Sequence, residues 1–461
     1  MVVGEVAERR DLIVIGAGPG GYEAALRAAE LGRQVTLVDR RGLAGLGGEC
    51  LHTGCIPSKT LIELAGSEAH RTADRAVPNP ILKRFQADKA LVIETIRAGV
   101  ERAVVQSRIE VVHGIARFIT GGRVVIERPD GLPAFLEYGA AVIATGSRPT
   151  ALPTMPFDGQ TVLDSAMLLA LEELPQSLAV VGGGYIGIEL GTALAKLGVA
   201  VTIVEMGDQL LPGLDVDLAA VVAKSLGNLG VTVELRTLAI EADHGSLRCR
   251  RVDGDAELAI AAERVLVAIG RRPNTDDLGI DAAAARLEPS GLVHTDAFGR
   301  AGPALFAIGD VRAGPALAHK ASAEGRTVAE LAAGVVGHRD VGEIPLVVFS
   351  DPEVASVGRT SRDVRASAGE LVAGKVPLSA SGRAATLEGA QGFVRVVADR
   401  ATGSVVGVQL AAPHASEMIA TATMAIELGA VLDDLDGLVF AHPTLSELLA
   451  LAARAGMKAR A

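Results

Sequence analysis

The sequence predicts an α/β fold in which two similar strand–loop–helix–strand units are followed by an α+β module. Three observations support this prediction. A glycine-rich loop follows a short apolar segment twice, at residues 16–21 and 182–187. In both places an acidic residue ends the next apolar segment, 23 residues after the first glycine. From about residue 345, short apolar segments alternate with helical patterns, and no such loop occurs.

The first unit starts with a predicted buried strand at residues 11–15, which enters the loop Gly16-Ala17-Gly18-Pro19-Gly20-Gly21. A helix over residues 22–31 and a strand over 34–38 follow, and the strand ends in Asp39. Gly16, Gly18 and Gly21 permit a tight turn and let the backbone approach a pyrophosphate at the helix N-terminus. The acid is placed to bind ribose hydroxyls. This pattern predicts a Rossmann-like dinucleotide-binding domain.

The second unit repeats this order. A strand at residues 178–181 leads into a loop with glycines at the same positions, and a strand at 200–204 ends in Glu205. A similar later strand closes each unit, at residues 141–146 and 265–270. Two unrelated α/β turns are the alternative, but the equal spacing favours two dinucleotide sites. The glycines of the second loop are Gly182, Gly184 and Gly187.

Two of the three cysteines, Cys50 and Cys55, lie five positions apart. A close pair in a chain without a disulfide framework is typical of catalytic or metal-binding cysteines. Five residues of ideal helix rise about 7.5 Å, whereas a disulfide needs its Cα atoms within about 4.4–6.8 Å. A redox-active disulfide therefore requires a distorted helical turn, which Gly54 would permit. A zinc site and two inert thiols are the alternatives, although no second cysteine pair is present.

Two dinucleotide sites beside a cysteine pair predict a flavin dinucleotide (FAD) in one site and a nicotinamide dinucleotide in the other. Glu205 favours NAD over NADP, because a carboxylate repels a 2′-phosphate. Lys59, one helical turn beyond Cys55, could stabilise negative charge on a reduced flavin, or it could be a solvated lysine. Asp310 ends the apolar segment 304–310 and could hold a ribityl or ribose hydroxyl, or it could be a turn residue.

A possible base stands near the C-terminus, in the segment His442-Pro443-Thr444-Leu445-Ser446-Glu447. Pro443 prevents a helix from running through His442, so the predicted helix over 446–453 starts with Thr444 or Ser446 as its cap. Dithiol–disulfide exchange needs a base, and a histidine oriented by a nearby glutamate suits neutral pH. These residues alone do not separate a catalytic histidine from a structural one.

Composition excludes several other classes of protein. A net charge of −11 argues against a nucleic-acid surface. No apolar run reaches the roughly 18 residues of a membrane helix. The N-terminus has no signal-peptide pattern, so we expect a cytoplasmic protein without a membrane partner. Cys249 is interpreted as a spare thiol, and no resident metal is expected.

These motifs together resemble the flavin disulfide reductases, the class I pyridine nucleotide-disulfide oxidoreductase family. The resemblance is greatest to the members that oxidise dihydrolipoyl groups, the E3 components of 2-oxo acid dehydrogenase complexes. Its most specific parts are residues 54–59, 182–187, 317–321 and 442–447. The resemblance implies an FAD-containing oxidoreductase that reduces NAD, contributes to redox homeostasis and forms a homodimer. The expected domains are an FAD domain (1–149), an NAD domain (150–271), a central segment (272–344) and a dimerisation domain (345–461).

The resemblance also implies roles for single residues. Cys50 would exchange with the dithiol, and Cys55 would face the flavin. His442 would be the base and Glu447 its orienter, both supplied by the other subunit, with a cis bond before Pro443. The remaining partner would be a lipoyl-bearing protein or a small dithiol.

The cofactor contacts expected from the motifs and the resemblance form two sets. Within them, Lys59 would pair with Glu189, and Tyr185 would gate the nicotinamide. The FAD set is Gly16, Gly18, Gly21, Asp39, Lys59, Ala116, Thr145, Gly146, Asp310 and Ala318. The NAD set is Gly182, Gly184, Tyr185, Gly187, Glu189, Glu205 and Gly270.

Two departures from the family pattern are His52-Thr53 in place of Asn-Val and Phe349 in place of Tyr. The alternatives are a related reductase with a different disulfide, quinone or metal-ion substrate, and a mainly structural or NADH-sensing subunit of a complex.

Overall fold

The structure is a computed structural model that describes residues 7–69, 80–254, 256–335 and 341–460. The chain divides into two compact units. Of the described residues, the first unit comprises those within 1–60, 84–150 and 270–341, and the second comprises those within 61–83, 151–269 and 342–461. The finer domain boundaries expected from the sequence stay predictions.

The helices of the described residues begin and end as follows: α1 (Pro19–Glu30), α2 (Gly48–His52), α3 (Cys55–Ala69), α4 (Pro80–Gln106), α5 (Ser165–Leu168), α6 (Tyr185–Lys196), α7 (Val216–Asn228), α8 (Ala318–Ala332), α9 (Ser361–Ala366), α10 (Ala415–Glu427), α11 (Leu432–Gly437) and α12 (Glu447–Arg460).

The strands are β1 (Glu8–Ile15), β2 (Val35–Asp39), β3 (Glu110–His113), β4 (Ile115–Thr120), β5 (Arg123–Glu127), β6 (Ala134–Ile143), β7 (Ser147–Pro149), β8 (Val162–Leu163), β9 (Ser177–Val181), β10 (Ala200–Val204), β11 (Thr232–Glu234), β12 (Thr237–Asp243), β13 (Gly245–Arg251), β14 (Glu257–Ala262), β15 (Arg264–Val267), β16 (Arg271–Pro273), β17 (Arg300–Gly302), β18 (Leu305–Ala307), β19 (Leu346–Val348), β20 (Glu353–Gly358), β21 (Leu371–Pro377), β22 (Phe393–Asp399) and β23 (Val405–Ala412).

The first unit is organised around a sheet in which β18, β6, β1, β2 and β3 are neighbours and run parallel. The middle of this sheet is apolar on both faces, because helices and loops cover each side. Leu12, Ile13 and Val14 of β1 are accordingly fully buried. In such a sheet, ligands bind at the carboxyl ends of the strands. The predicted FAD-site residues that follow β1, β2, β6 and β18 all lie at that edge.

The second unit contains a parallel sheet in the order β11-β10-β9-β15-β8. Between β11 and β15 the chain forms a separate three-stranded antiparallel sheet, β12-β13-β14. The C-terminal part forms an antiparallel sheet in the order β19-β20-β23-β22-β21, and its apolar core includes residues of α10 and α12. The predicted α/β organisation with a C-terminal α+β module is confirmed.

Two helices begin earlier than the sequence predicts. We expected one from about residue 59 and another from about 88, but α3 begins at Cys55 and α4 at Pro80. Each has a proline in its first turn, where the missing N–H has no helical partner to lose. Within the described ranges, no helix combines the length and the apolar character needed to cross a bilayer.

Candidate functional site

The first glycine-rich loop connects β1 to α1 and fits tightly against its surroundings. Gly16 has a φ of +105°, and a Cβ there would lie 2.4 Å from the carbonyl oxygen of Ala144. A Cβ on Gly21 would lie 1.8 Å from the carbonyl oxygen of Gly16. No side chain fits at either position, so both glycines are required by the close approach of the backbone.

The second loop, between β9 and α6, has the same geometry. Gly182 has a φ of +109°, and a Cβ there would lie 2.5 Å from the carbonyl oxygen of Ala268. A Cβ on Gly187 would lie 2.3 Å from the carbonyl oxygen of Gly182. The repeat seen in the sequence is therefore a repeat of three-dimensional structure.

The middle glycine of each loop faces open space. Nothing lies within 4 Å of a Cβ built on Gly18 or Gly184. These residues are also the N-caps of α1 and α6, and neither helix has a side-chain cap. The first amides of each helix thus border an open space, which a side chain at the middle glycine would occupy. The positive end of the helix dipole points into the same space. This arrangement fits the pyrophosphate of a dinucleotide at each loop.

An acidic side chain braces each loop from the end of the next strand. Asp39 accepts a hydrogen bond from the N–H of Ala17 at 3.1 Å, and Glu205 accepts one from the N–H of Gly183 at 2.7 Å. Both also bind the N–H two residues ahead, at Arg41 (2.8 Å) and Gly207 (2.6 Å) respectively. Both carboxylates thus lie beside their glycine-rich loops, as a ribose-binding acid must.

The cysteine segment is attached directly to the first loop. The N–H of Gly47 donates to the carbonyl of Ala17 at 2.9 Å. Gly48 has a φ of +59°, and a Cβ there would lie 2.6 Å from the Cα of Gly18. The segment therefore holds the cysteines next to the position where a dinucleotide pyrophosphate fits.

The helix is broken between the two cysteines, as their spacing requires. Cys50 lies in α2, which ends at His52, and Cys55 is the first residue of α3. Gly54 occupies the break, where a Cβ would lie 3.1 Å from the Glu49 carbonyl oxygen and 3.4 Å from the Cys50 Cα. Gly54 is thus explained by close packing against the backbone rather than by an unusual φ.

The two cysteines interact as thiols in this structure. The hydrogen bond with Cys55, and then burial, raise the pKa of Cys50, while the positive charge of Lys59 acts in the opposite direction. The Lys59 ammonium lies one turn beyond Cys55 and donates to the hydroxyl of Ser58 at 3.4 Å. The two thiols are therefore hydrogen-bond partners, with a cation near them.

His52 holds the turn that carries the cysteines. Its Nε2 lies 2.9 Å from the carbonyl oxygen of Leu46, just before the Gly47-Gly48 turn. Burial and the nearby charges of Arg41 and Arg97 lower the pKa of His52. The ring therefore favours its neutral form, with Nε2–H donating to Leu46.

The expected FAD ligand Asp310 lies in a short 3₁₀ segment after β18 and is supported by residues that the sequence analysis missed. Its Oδ2 accepts a hydrogen bond from the hydroxyl of Ser147 at 2.6 Å. Both backbone groups of the preceding Gly309 are bound by buried side chains. The N–H donates to Glu324 at 2.7 Å, and the carbonyl accepts from Lys320 at 3.1 Å.

The other expected FAD contacts also belong to the first unit. Asn274 fastens the turn after β6, because its side chain donates to the carbonyl of Thr145 at 2.9 Å and its N–H to the carbonyl of Gly146 at 2.8 Å. Ala116 is buried in β4. Ala318 is the first residue of α8. Lys320 lies within the segment 317–321 that carries the family resemblance, whereas Ser147, Asn274 and Glu324 belong to no recognisable local motif.

The residues expected to bind NAD are divided between the two units of the chain. Tyr185 begins α6, and the buried Glu189 one turn later accepts a hydrogen bond from the N–H of Phe349 at 3.0 Å. Gly270 belongs to the first unit, as does Lys59 of the FAD set, whereas the rest of the NAD set lies in the second unit. The proximity of Gly270 to NAD and the Lys59–Glu189 pair therefore stay predictions.

His442 and Glu447 form the expected pair within the second unit. The Nδ1 of His442 lies 2.9 Å from Oε1 of Glu447, whose Oε2 accepts a hydrogen bond from the N–H of Thr444 at 2.8 Å. The hydrogen bond from the N–H of Thr444 and, less strongly, the one with His442 lower the pKa of Glu447. The His442–Pro443 bond is cis, as the resemblance implies. The imidazole is 78% exposed, so its Nε2 can receive a proton from a substrate.

Known proteins are similar to this chain over nearly its whole length. Among curated proteins, the dihydrolipoyl dehydrogenase of Geobacillus stearothermophilus is 41% identical and covers 99% of this chain and 98% of its own length. Dihydrolipoyl dehydrogenase 2 of Haloarcula marismortui is 43% identical with the same coverage. Among solved structures, LpdA from Mycobacterium tuberculosis is 30% identical with a TM-score of 0.87 and covers 97% of this chain and 99% of its own. The HOCl-induced flavoprotein disulfide reductase RclA from Escherichia coli is 27% identical with a TM-score of 0.84 and covers 96% and 99%.

Family comparison covers nearly the whole chain. Residues 10–325 match the family described as pyridine nucleotide-disulphide oxidoreductase, and residues 344–453 match the dimerisation domain of the same family. The glycine-rich loops, their acids and the paired cysteines are the features that such enzymes need. The chain therefore belongs to the pyridine nucleotide-disulphide oxidoreductase family.

Proposed function

We propose that this protein oxidises dihydrolipoyl groups and reduces NAD, using Cys50 and Cys55 as its redox pair, FAD at the first glycine loop and NAD at the second. The observation that carries the redox part is the attachment of the cysteine segment to the first loop through Gly47 and Gly48. The substrate class is supported by relatives that are 41–43% identical over nearly the full length.

The exchange chemistry follows from the two sulfurs. In the oxidised protein, a thiolate of the substrate attacks the Cys50 sulfur, and the Cys50–Cys55 bond breaks with Cys55 leaving as a thiolate. The second substrate thiol then attacks the mixed disulfide, releasing a cyclic disulfide and Cys50. Bound FAD supplies the two-electron chemistry that restores the protein disulfide and reduces NAD. Lys59 stabilises negative charge beside the cysteines.

His442 acts as the base in this scheme. With Nδ1–H donating to Glu447, the lone pair of Nε2 accepts the proton of each attacking thiol. The carboxylate holds the ring in that tautomer and stabilises the imidazolium that forms. The imidazolium can return one proton to the departing Cys50 sulfur, and the net reaction releases one proton to solvent.

A homodimer in which one subunit supplies His442 to the cysteines of the other fits the surface around that residue. Val439 is 94% exposed and Leu428 is 77% exposed, and Leu438 and Met424 add further exposed apolar area in the second unit. Large apolar side chains that are exposed in this part of the chain are typical of a surface that another chain covers. The dimerisation domain spans this region.

Subunit mixing tests the shared site. Dimers of the Cys50→Ser variant and of the His442→Ala variant should each be almost inactive. After random remixing, half of the dimers contain one chain of each kind, and each of these has one intact site if the site is shared. About a quarter of wild-type activity should return. No recovery, with mixed dimers demonstrated by tagged subunits, would show that each chain builds its own site.

A substrate panel tests the proposed reaction. The purified holoenzyme should reduce NAD with dihydrolipoamide and, in reverse, oxidise NADH with lipoamide. Glutathione disulfide, a quinone and Cu²⁺ serve as competing acceptors, because the main alternative is a related reductase with a different disulfide, quinone or metal-ion substrate. Failure with dihydrolipoamide, together with rapid NADH-dependent reduction of another acceptor, would refute the dihydrolipoyl assignment. Failure with every acceptor despite bound FAD would instead favour a structural or sensing subunit.

A further inference from the structure

Arg271, a residue outside the predicted set, connects the cysteine segment to the FAD-site edge of the first unit. It lies in β16, and its Nη2 donates to Oε1 of Glu49 at 2.7 Å. Its Nε donates to the hydroxyl oxygen of Ser147 at 2.7 Å, and its Nη2 also reaches the carbonyl of Ser147 at 2.8 Å. The Arg271 side chain is 17% exposed and that of Glu49 is 34% exposed, so solvent screens this ion pair only in part.

Arg271 also sets the direction of the next hydrogen bond. A guanidinium can only donate, so the Ser147 hydroxyl accepts from Arg271 and must direct its own proton elsewhere. The acceptor is Oδ2 of Asp310, 2.6 Å away. A continuous chain of contacts thus runs from Glu49 through Arg271 and Ser147 to Asp310.

The charges of Glu49 and Arg271 bear on the ionisation of Cys50. Glu49 directly precedes Cys50 in α2, and a carboxylate there disfavours a neighbouring thiolate. Arg271 compensates this charge from β16. Within the described ranges, the other titratable groups that act on Cys50 include Cys55 and Lys59 on α3 and the phenol of Tyr22 on α1. In the proposed dimer, His442 of the other subunit faces it as well.

We propose that Arg271 is a positioning residue for the redox cysteines, which neutralises Glu49 beside Cys50 and orients Ser147 toward Asp310. This inference rests on the proposed function only in taking Cys50 and Cys55 as the redox pair. Under this proposal Arg271 favours formation of the Cys50 thiolate, an effect that a contact with a purely structural role would not have.

The test is the pH dependence of iodoacetamide alkylation of Cys50 in the reduced holoenzyme, followed by mass spectrometry. In Arg271→Gln the Glu49 charge is uncompensated, so the profile should move to higher pH by about half to one unit. In Glu49→Gln the Arg271 charge is uncompensated, so the profile should move to lower pH. Cys249 is an internal reference, because burial raises its pKa to about 11 and keeps it unreactive near neutral pH.

Two variants separate charge from structure. Arg272→Gln is the matched control, because Arg272 is the next residue but is 55% exposed and pairs with Asp276. Its profile should match the wild type. Arg271→Lys retains the positive charge without the planar fork, so its profile should lie closer to the wild type than that of Arg271→Gln.

Opposite shifts in Arg271→Gln and Glu49→Gln support the proposal. Shifts in the same direction, or an Arg271→Gln profile equal to that of Arg272→Gln, overturn it. The assay contains neither dihydrolipoamide nor NAD, so its outcome is independent of whether the substrate assignment holds.

Discussion

The carboxylate of Glu205 accepts the N–H of Gly183 at 2.7 Å, and this contact places the acid directly beside the second glycine-rich loop. Asp39 makes the equivalent contact with Ala17 in the first loop. Each dinucleotide site thus contains a carboxylate held at a fixed position by backbone amides. In the second site, this charge bears on the choice between NAD and NADP.

Replacing Glu205 by Ala should weaken NAD binding and reduce discrimination against NADP. The substitution removes a charged acceptor for the ribose hydroxyls, and a hydrogen bond to such an acceptor is worth roughly 1.5–3 kcal/mol. It also removes the carboxylate that repels a 2′-phosphate. We expect the KM for NAD to rise about tenfold to a hundredfold in steady-state assays. The control is Asp208→Asn, an exposed acid three residues further along. An unchanged ratio of kcat/KM for NAD and NADP in Glu205→Ala would contradict this role.

Replacing Gly54 by Ala should disturb the cysteine pair. The new Cβ would press on the Glu49 carbonyl and the Cys50 Cα, at 3.1 and 3.4 Å. We expect a loss of stability of about 1–3 kcal/mol and slower disulfide reduction, measured by chemical unfolding and stopped-flow absorbance. Gly66 in α3 has open space around it, so Gly66→Ala should instead stabilise by about 0.5–1 kcal/mol. Equal behaviour of the two variants would refute the packing argument.

Replacing Glu447 by Gln should slow turnover without removing the base. Without the charged acceptor the ring loses the partner that holds its tautomer and stabilises the imidazolium, so kcat should fall about tenfold or more at neutral pH. Glu417→Gln, which removes an exposed acid in the first turn of α10, is the control. A normal kcat in Glu447→Gln would show that the carboxylate does not orient the ring.

The same carboxylate predicts a pH dependence. Its pKa is lowered in the folded protein by the Thr444 N–H and by His442, so the ionised form is the one that the fold stabilises. This contribution is fully present above the ordinary value of 4.5 and is lost as the pH falls through the lowered folded value. In NMR spectra, the His442 ring should keep its bonded Nδ1–H tautomer at neutral pH and lose the Glu447 contact only below about pH 4.5. Loss of the contact well above that pH would contradict the lowered pKa.

The sequence was sufficient for the parts of the site that depend on neighbouring residues. The loops containing Gly16 and Gly182 were predictable because close backbone packing excludes any other residue, and the requirement repeats at the same spacing. The break between Cys50 and Cys55 followed from the rise of a helix against the reach of a disulfide. In both cases, local geometry leaves few alternatives.

The parts that could not be predicted join residues far apart in the chain. Arg271 meets Glu49 across more than two hundred residues, and Ser147 meets Asp310 across more than one hundred and fifty. Such pairs depend on which strands become neighbours in the sheet, and a single sequence has no local pattern for them. The start of α3 at Cys55 also differs from the prediction, because Pro57 is accommodated in the first turn of the helix.

The central claim is that dihydrolipoyl oxidation passes through the Cys50–Cys55 disulfide. Its most direct test is a steady-state assay of NAD reduction by dihydrolipoamide in the wild type and in the Cys50→Ser variant, with bound FAD measured by absorbance. We predict robust turnover in the wild type and, in the variant, normal FAD content with turnover reduced by several orders of magnitude. Turnover retained in the variant would contradict the disulfide mechanism.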